Sequence, residues 1–196
     1  MEESFKELIN TYIQTNVGIT DNFLPDGLAS NLTSNLLALY NQDLMSAAGT
    51  GSSGNVAHNK KNRGDSIYWL DREHNNKSEN VFFDHMDRFV DYLNSQCYTG
   101  IKSYEFHYTI YQPGTFYKRH FDQFQNNANR AFSVISYLNC DWKESDGGEL
   151  CIHHTTNEQR ISPTNGKTVF FKSDELEHQV LTTHVNRLSI TGWLKT

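Results

Sequence analysis

Near the middle of the chain a histidine and an aspartate stand two residues apart: His120 and Asp122, in the stretch FYKRHFDQF (116–124). On an extended strand, residues i and i+2 point to the same side, so an imidazole nitrogen and a carboxylate oxygen can aim at one point. A pair of this kind is common by chance and is more often a hydrogen-bonded surface pair than a metal site, so a third ligand must come from elsewhere. His178, in DELEHQVL, starts a short apolar run after an acidic turn and is well placed. His153, His154 and His184 are its rivals. The first two are adjacent, so at most one can face inward, and His184 falls past the VLTT run in a turn. Nine residues beyond His178, Arg187 opens RLSITGWL, whose alternation is that of a buried strand. A buried guanidinium needs a partner, and a carboxylate fits its fork.

Two histidines and one carboxylate on one face leave three metal positions open, the facial arrangement of non-haem Fe(II) sites. A bidentate 2-oxo acid would fill two of them and O2 the third, with Arg187 on the far carboxylate of the acid. The residues therefore suggest iron together with 2-oxoglutarate.

Elements must position these side chains. Phe5, Leu8, Ile9, Tyr12 and Ile13 fall on one helical stripe; Leu28, Leu32, Leu36, Leu39 and Tyr40 on a second, after LPDG; Phe82, Met86, Phe89, Val90 and Leu93 on a third. From about Ser103 the period drops to two: Tyr104, Phe106, Tyr108 and Ile110 alternate with Glu105, His107 and Thr109. Further short strands are expected in AFSVISYL, GELCIHHT, KTVFFK, HQVLTT and RLSITGWL. Asp146-Gly147-Gly148 and Asn165-Gly166 are hairpin signals, since those residues accept positive φ. Helices followed by many short strands predict an α+β fold, a barrel or double-sheet jelly roll with helices on one face. The polar, Gly/Ser-rich segment from Ser46 to Ser66 reads equally as a surface loop or as a lid over a site. Its basic residues His58, Lys60, Lys61 and Arg63 could touch an acidic partner.

Composition narrows the classes. The chain has 196 residues, enough for one sizeable core, and a formal charge of −6, which argues against a nucleic-acid partner. The three cysteines, Cys97, Cys140 and Cys151, lack a CxxC spacing; they read as buried or half-buried thiols of a reducing compartment. The amphipathic, acidic start MEESFKELINTYIQ is not a signal peptide, and no run reaches the roughly 18 apolar residues of a membrane span. A cytoplasmic protein with no membrane partner is expected.

With these motifs in place, the chain resembles the 2-oxoglutarate/Fe(II)-dependent oxygenases of the prolyl 4-hydroxylase superfamily, in particular the hypoxia-inducible-factor prolyl hydroxylase branch and its bacterial relatives. The likeness runs from NFLPDGLASNL to TGWL. RGDSIYWLD (63–71) resembles a segment that follows a mobile substrate-covering loop. YQPGTFYKRHFD resembles the Tyr-Pro-Gly turn leading into the metal strand, although Gln112 here separates Tyr111 from Pro113. RAFSVISYLNCDWKESDGGEL and ISPTNGKTVFFKSDELEHQV…NRLSITGW resemble the following hairpin and the closing strands.

The resemblance implies a single domain over residues 1–196, with helical support over about 1–95 and a double-stranded β-helix (jelly-roll, cupin-like) core over about 100–196. It implies His120, Asp122 and His178 as iron ligands, Arg187 and Tyr137 on the distal carboxylate of 2-oxoglutarate, and Tyr111 near its metal-proximal end. Leu150, Thr191 and Trp193 are implied as pocket lining and Arg130 as a substrate contact. Implied too are O2 as cosubstrate, ascorbate as reductant, and hydroxylation at C4 of a prolyl residue with release of succinate and CO2. The substrate would be a protein or peptide, with a translation factor among the candidates, and the enzyme a monomer. Each residue also has a plain reading: Tyr137 and Trp193 as core aromatics, Tyr108 and Tyr117 as core or rim, Leu150 as core.

Other readings compete. A free amino acid or small metabolite could replace the prolyl substrate. A zinc hydrolase also uses two histidines and a carboxylate, but has no need of Arg187. A metal-free binding module would be expected to lose one of the three ligands. A nucleic-acid demethylase fits poorly with the acidic charge.

Overall fold

The computed structural model of the chain describes residues 2–49, 62–123 and 129–196. The elements, in chain order, are α1 (Glu2–Thr15), β1 (Gly18–Thr20), α2 (Leu28–Asn41), β2 (Ser46–Ala47), β3 (Asp65–Trp69), α3 (Lys77–Cys97), β4 (Ser103–Tyr111), β5 (Tyr117–His120), β6 (Arg130–Tyr137), β7 (Leu150–His153), β8 (Glu158–Ile161), β9 (Thr168–Lys172), β10 (Glu177–Val180) and β11 (Arg187–Lys195). The strands form two sheets. The larger runs β1-β9-β6-β11-β4-β3-β2 and the smaller β5-β10-β7-β8. Every pairing between these strands is antiparallel. This is the α+β architecture with a jelly-roll core that the alternating second half predicts.

The pleat of the large sheet separates two jobs. Phe106, Tyr108 and Ile110 of β4, Val134 of β6, Phe170 of β9 and Leu188, Ile190 and Leu194 of β11 pack on one face against Phe5, Leu8, Leu32, Leu36, Phe82, Met86, Phe89 and Leu93 of the helices. Each such side chain contributes on the order of 1.5–3 kcal/mol when fully buried. Helix α3 starts where the Asn76 side chain accepts from the Ser78 and Glu79 amides, a cap that satisfies two otherwise orphan donors. On the opposite face, Ile135, Tyr137, Val169 and Phe171 meet Leu150, Ile152 and Ile161 of the small sheet in a second core. The helices thus support one sheet, and the space between the sheets is left for the site.

Several expectations change. Ile13 is 70 % exposed, because it flanks rather than joins the Phe5–Leu8–Ile9–Tyr12 face. The Gly147-Gly148 and Asn165-Gly166 turns do have positive φ at their glycines, but neither closes a hairpin. Each carries the chain from one sheet to the other: β6 to β7, and β8 to β9. The strands β1, β2, β3 and β8 were not foreseen; at two to five residues each they are too short to show a period. Cys97 and Cys140 are exposed rather than buried. Of the Ser46–Ser66 segment, its ends form β2 and the start of β3, while residues 50–61, His58, Lys60 and Lys61 among them, lie outside the described residues. No helix among those described is long and apolar enough to cross a membrane.

Candidate active site between the sheets

Strands β5 and β10 are neighbours, and their register sets His178 directly opposite His120. Asp122 lies just beyond the end of β5 rather than on it, so its placement depends on a turn and a hydrogen bond, not on strand alternation. That bond comes from Ser133 of β6, whose hydroxyl donates to Asp122 Oδ2 at 2.6 Å and is itself 2.9 Å from the Ser173 hydroxyl. Donor atoms of His120, Asp122 and His178 all lie within 4.8 Å of one another.

The two imidazoles are oriented by their far nitrogens. His120 Nδ1–H donates to the Lys118 carbonyl at 2.7 Å and His178 Nδ1–H to the Leu176 carbonyl at 3.1 Å. Those acceptors assign the proton to Nδ1 and leave both Nε2 lone pairs free. The Nε2 atoms face the two Asp122 oxygens, at 3.5 Å from Oδ1 and 3.6 Å from Oδ2. Such backing of a ligand histidine by a carbonyl is the usual support of a metal site. Burial, opposed mainly by Asp122, lowers the His178 pKa to about 4. For Asp122, burial alone would raise the carboxyl, but His178, His120 and the Ser133 hydroxyl overcome it and hold it well below the usual carboxylate range. At neutral pH the group therefore offers a neutral imidazole at His178 and an ionised carboxylate, the states a cation requires. The residues present fit a divalent metal ion.

Tyr117 stacks on the His120 ring, with centroids 3.6 Å apart and planes at 18°. Behind it, the Arg63 guanidinium lies 4.2 Å from the Tyr117 centroid and pairs with buried Asp65 at 2.5 Å. This pair was not singled out from sequence. The R-x-D spacing in RGDS carried the signal, since i and i+2 share a face.

At one end of the space sits Arg187, 3 % exposed. Its Nε donates to the Gly148 carbonyl at 2.6 Å, and among the described residues no carboxylate pairs with it. Gly148 has φ +77°, and a Cβ there would sit 3.0 Å from Arg187 Cδ, so the glycine lets the backbone come close enough to accept. The expected carboxylate partner for this arginine is thus not found among the described residues. Tyr111 and Tyr137 flank it, with the guanidinium 5.2 and 5.0 Å from their ring centroids. The Tyr137 hydroxyl is buried without a hydrogen-bond partner, and burial pushes its pKa up to about 12 against the opposing charge of Arg187. A buried cation and a buried idle hydroxyl side by side form a cradle for an anion with acceptor oxygens.

The space between is a cavity of about 300 Å³. Leu150 and Thr191 line it, together with Ile67, Ile135 and Val180. Trp193 also lines it, but six residues along β11 from Arg187, roughly 20 Å at strand rise. It belongs to the other end, where the Arg130 guanidinium lies 3.4 Å over its ring and pairs with Glu105 at 2.8 Å. Trp69 and Phe121, each 46 % exposed, stand at that mouth. His107 was overlooked although the alternation of YEFHYTIY puts it on the face of Tyr111; it is buried beside Trp69 at a centroid distance of 5.0 Å. The rival ligands do not join: His153 groups with Cys151 and Glu158 instead, His154 contacts Gln159 at 3.1 Å, and His184 lies beyond β10.

Comparison with known proteins is consistent with this geometry. Residues 106–195 match the model of the 2OG-Fe(II) oxygenase superfamily. Among solved structures, a prolyl-4-hydroxylase from Pseudomonas putida is 28 % identical, with a TM-score of 0.86 over 97 % of this chain and 98 % of that one. A prolyl hydroxylase from Trichoplax adhaerens, solved in complex with a hypoxia inducible factor oxygen degradation domain peptide fragment, is 23 % identical, with a TM-score of 0.82 over 99 % of this chain and 90 % of that one. A prolyl 4-hydroxylase from Phytophthora capsici is 21 % identical, with a TM-score of 0.79 over 100 % and 65 %.

Proposed function

We propose that the chain is a 2OG-Fe(II) oxygenase of the prolyl 4-hydroxylase kind, a reading supported by the match of residues 106–195 to that superfamily's model and by the likeness to the Pseudomonas putida enzyme, and that it hydroxylates C4 of a prolyl residue in a protein or peptide. The observation that carries the reading is the pairing of two incomplete arrangements in the lining of one cavity: three converging metal-ligating atoms, and a buried arginine that has no carboxylate partner among the described residues. Iron held by His120, Asp122 and His178 would supply, with O2 and 2-oxoglutarate, the oxidising power for C–H hydroxylation, the cosubstrate ending as succinate and CO2.

The chain's own residues do the positioning. Arg187 takes the distal carboxylate of 2-oxoglutarate through its free guanidinium nitrogens while Gly148 holds Nε. Tyr137 donates its hydroxyl to the same carboxylate, completing a bond the protein alone leaves unmade. Tyr111 closes the opposite side of Arg187. Leu150, Ile135 and Thr191 exclude water along the body of the cosubstrate, which strengthens each polar contact in the cavity. At the mouth, Trp69, Phe121 and the Arg130–Trp193 stack offer flat surfaces suited to an extended proline-bearing segment. The peptide seen with the Trichoplax relative supports a peptide substrate here. Ascorbate enters only as a reductant that keeps the metal ferrous.

The test is succinate formation under air with Fe(II), 2-oxoglutarate and ascorbate, followed by mass analysis of proline-containing peptides incubated in the same mixture. Succinate that depends on His178 and Arg187, with a mass gain of one oxygen on proline, is the expected result. Succinate without peptide oxidation would transfer the activity to a free amino acid or small metabolite. No succinate at all would remove the oxygenase reading.

A further inference from the structure

A second group of metal-ligating side chains lies outside the cavity. Cys151, His153 and Glu158 each offer one donor atom, a sulfur, an imidazole nitrogen and a carboxylate oxygen, and these three atoms lie within 4.8 Å of one another. All three sit on the β7–β8 pair. His153 and Glu158 are directly opposite in register, and Cys151 lies two residues back on the strand of His153, so the three share a face. Leu150 and Ile152, between and before them, point into the core between the sheets; the group therefore occupies the outer face of the small sheet.

The three side chains are an incomplete set by themselves. His153 Nδ1 is 3.1 Å from Glu158 Oε1, its side chain is only 6 % exposed, and its Nε2 is buried with no hydrogen-bond partner. Cys151 is a free thiol and fully buried. Burial and the neighbouring Glu158 both raise its pKa, opposed by Gln179 and Arg160, so without a cation the thiol keeps its proton.

We propose that Cys151, His153 and Glu158 form a second metal site that takes a borderline-soft divalent cation of the zinc type. Sulfur with imidazole selects such an ion over magnesium or calcium, and distinguishes this site from the sulfur-free set in the cavity. Binding converts the thiol to a thiolate: the sulfur–metal bond forms, the S–H bond breaks, and one proton leaves to solvent. Three protein donors leave the fourth tetrahedral position to water. Bonds of about 2.0–2.3 Å to zinc require donors about 3.3–3.8 Å apart. Glu158, whose side chain is 54 % exposed, has the freedom to close that gap. The cation would tie β7 to β8, and β7 is the strand against which β10 pairs, with Ile152 opposite His178. The site would thus brace the strand beside the cavity without entering it.

Cobalt(II) is the probe, titrated anaerobically into the reduced full-length protein. Two equivalents per chain are expected, one of them giving a thiolate-to-cobalt charge-transfer band in the near ultraviolet. Cys151→Ser should abolish the band and reduce the stoichiometry to one. Glu158→Gln, a change at an exposed position that keeps the fold, should weaken binding at the band-forming site at least tenfold. His178→Ala should leave the band intact. A wild-type protein without the band, or a band that survives Cys151→Ser and so comes from Cys97 or Cys140, would overturn the proposal; neither result touches the cavity site.

Discussion

Tyr137 and Arg187 are the residues that the protein leaves unfinished, and this gives them opposite consequences in the absence and presence of cosubstrate. Tyr137→Phe deletes a buried hydroxyl that has no partner. The apoprotein should be unchanged or up to about 1 kcal/mol more stable, since the variant no longer buries an unsatisfied group. The same change removes a donor to a charged carboxylate, so KM for 2-oxoglutarate should rise roughly tenfold or more. Thermal melts of the apoprotein and succinate kinetics read the two effects separately; a loss on both counts would return Tyr137 to a plain core role. Arg187→Ala should raise KM for 2-oxoglutarate by roughly a hundredfold or abolish turnover, and Arg187→Lys should recover part of it, because a point charge replaces the fork. At this scale the sequence was readable where spacing has direct chemical meaning: H-x-D, and an arginine opening an apolar strand. It was not readable for Ser133, whose hydroxyl holds Asp122, or for the stack of Arg63 on Tyr117 on His120. The Ser133 and Arg63 contacts come from other segments of the chain, and Tyr117 and His120 are three residues apart on one short strand, so no alternation records any of them.

Helix α3 carries a pH-sensitive element away from the site. His85 is 3 % exposed, packed between Phe5 and Phe23 at centroid distances of 5.1 and 4.8 Å. Burial lowers its pKa from the model-peptide range to about 4. A depressed pKa means that the unfolded chain binds the proton more readily, so stability is complete above about pH 6.5 and falls as pH drops towards 4. The contribution of this one group to the slope is about 1.4 kcal/mol per pH unit within that window. His85→Phe should flatten the denaturation midpoint between pH 4 and 6.5 by about one proton; an unchanged slope would mean that His85 is already protonated in the folded protein. Strand β11 carries a steric element. A Cβ on Gly192 would lie 2.1 Å from Phe106 Cδ1 and 2.2 Å from the Glu105 carbonyl oxygen. Gly192→Ala should cost about 3 kcal/mol in a urea melt, through overpacking against the buried Phe106 ring and the β4 backbone. The helices and longer strands were legible because an amphipathic period persists over several turns or pleats. The turn signals were read correctly as chain reversals but assigned to hairpins, because local φ preferences do not say which sheet receives the next strand.

For the molecule as a whole, two separate apolar cores hold the fold without any ion. Chelation should therefore abolish turnover while leaving the far-UV circular dichroism spectrum unchanged; a collapse of the spectrum would show that the metal is part of the fold. The α+β class followed from the change of period near Ser103, whereas the order of strands in each sheet did not, since antiparallel alternation fits many topologies. The large sheet has a further consequence for redesign. In β3, β4, β6, β9 and β11 the residues that meet the small sheet or the cavity carry odd numbers, among them Asp65, Thr109, Ile135, Phe171 and Arg187, and those that meet the helices carry even ones, such as Tyr68, Ile110, Val134, Phe170 and Leu188; Arg130, which also lines the cavity, departs from this where the register of β6 against β11 shifts. Chemistry and folding are thus written on alternate letters of the same strands. A combinatorial library confined to odd positions would sample new substrates against a constant scaffold. A single-residue insertion in β11 would exchange the two sets beyond it and destroy both.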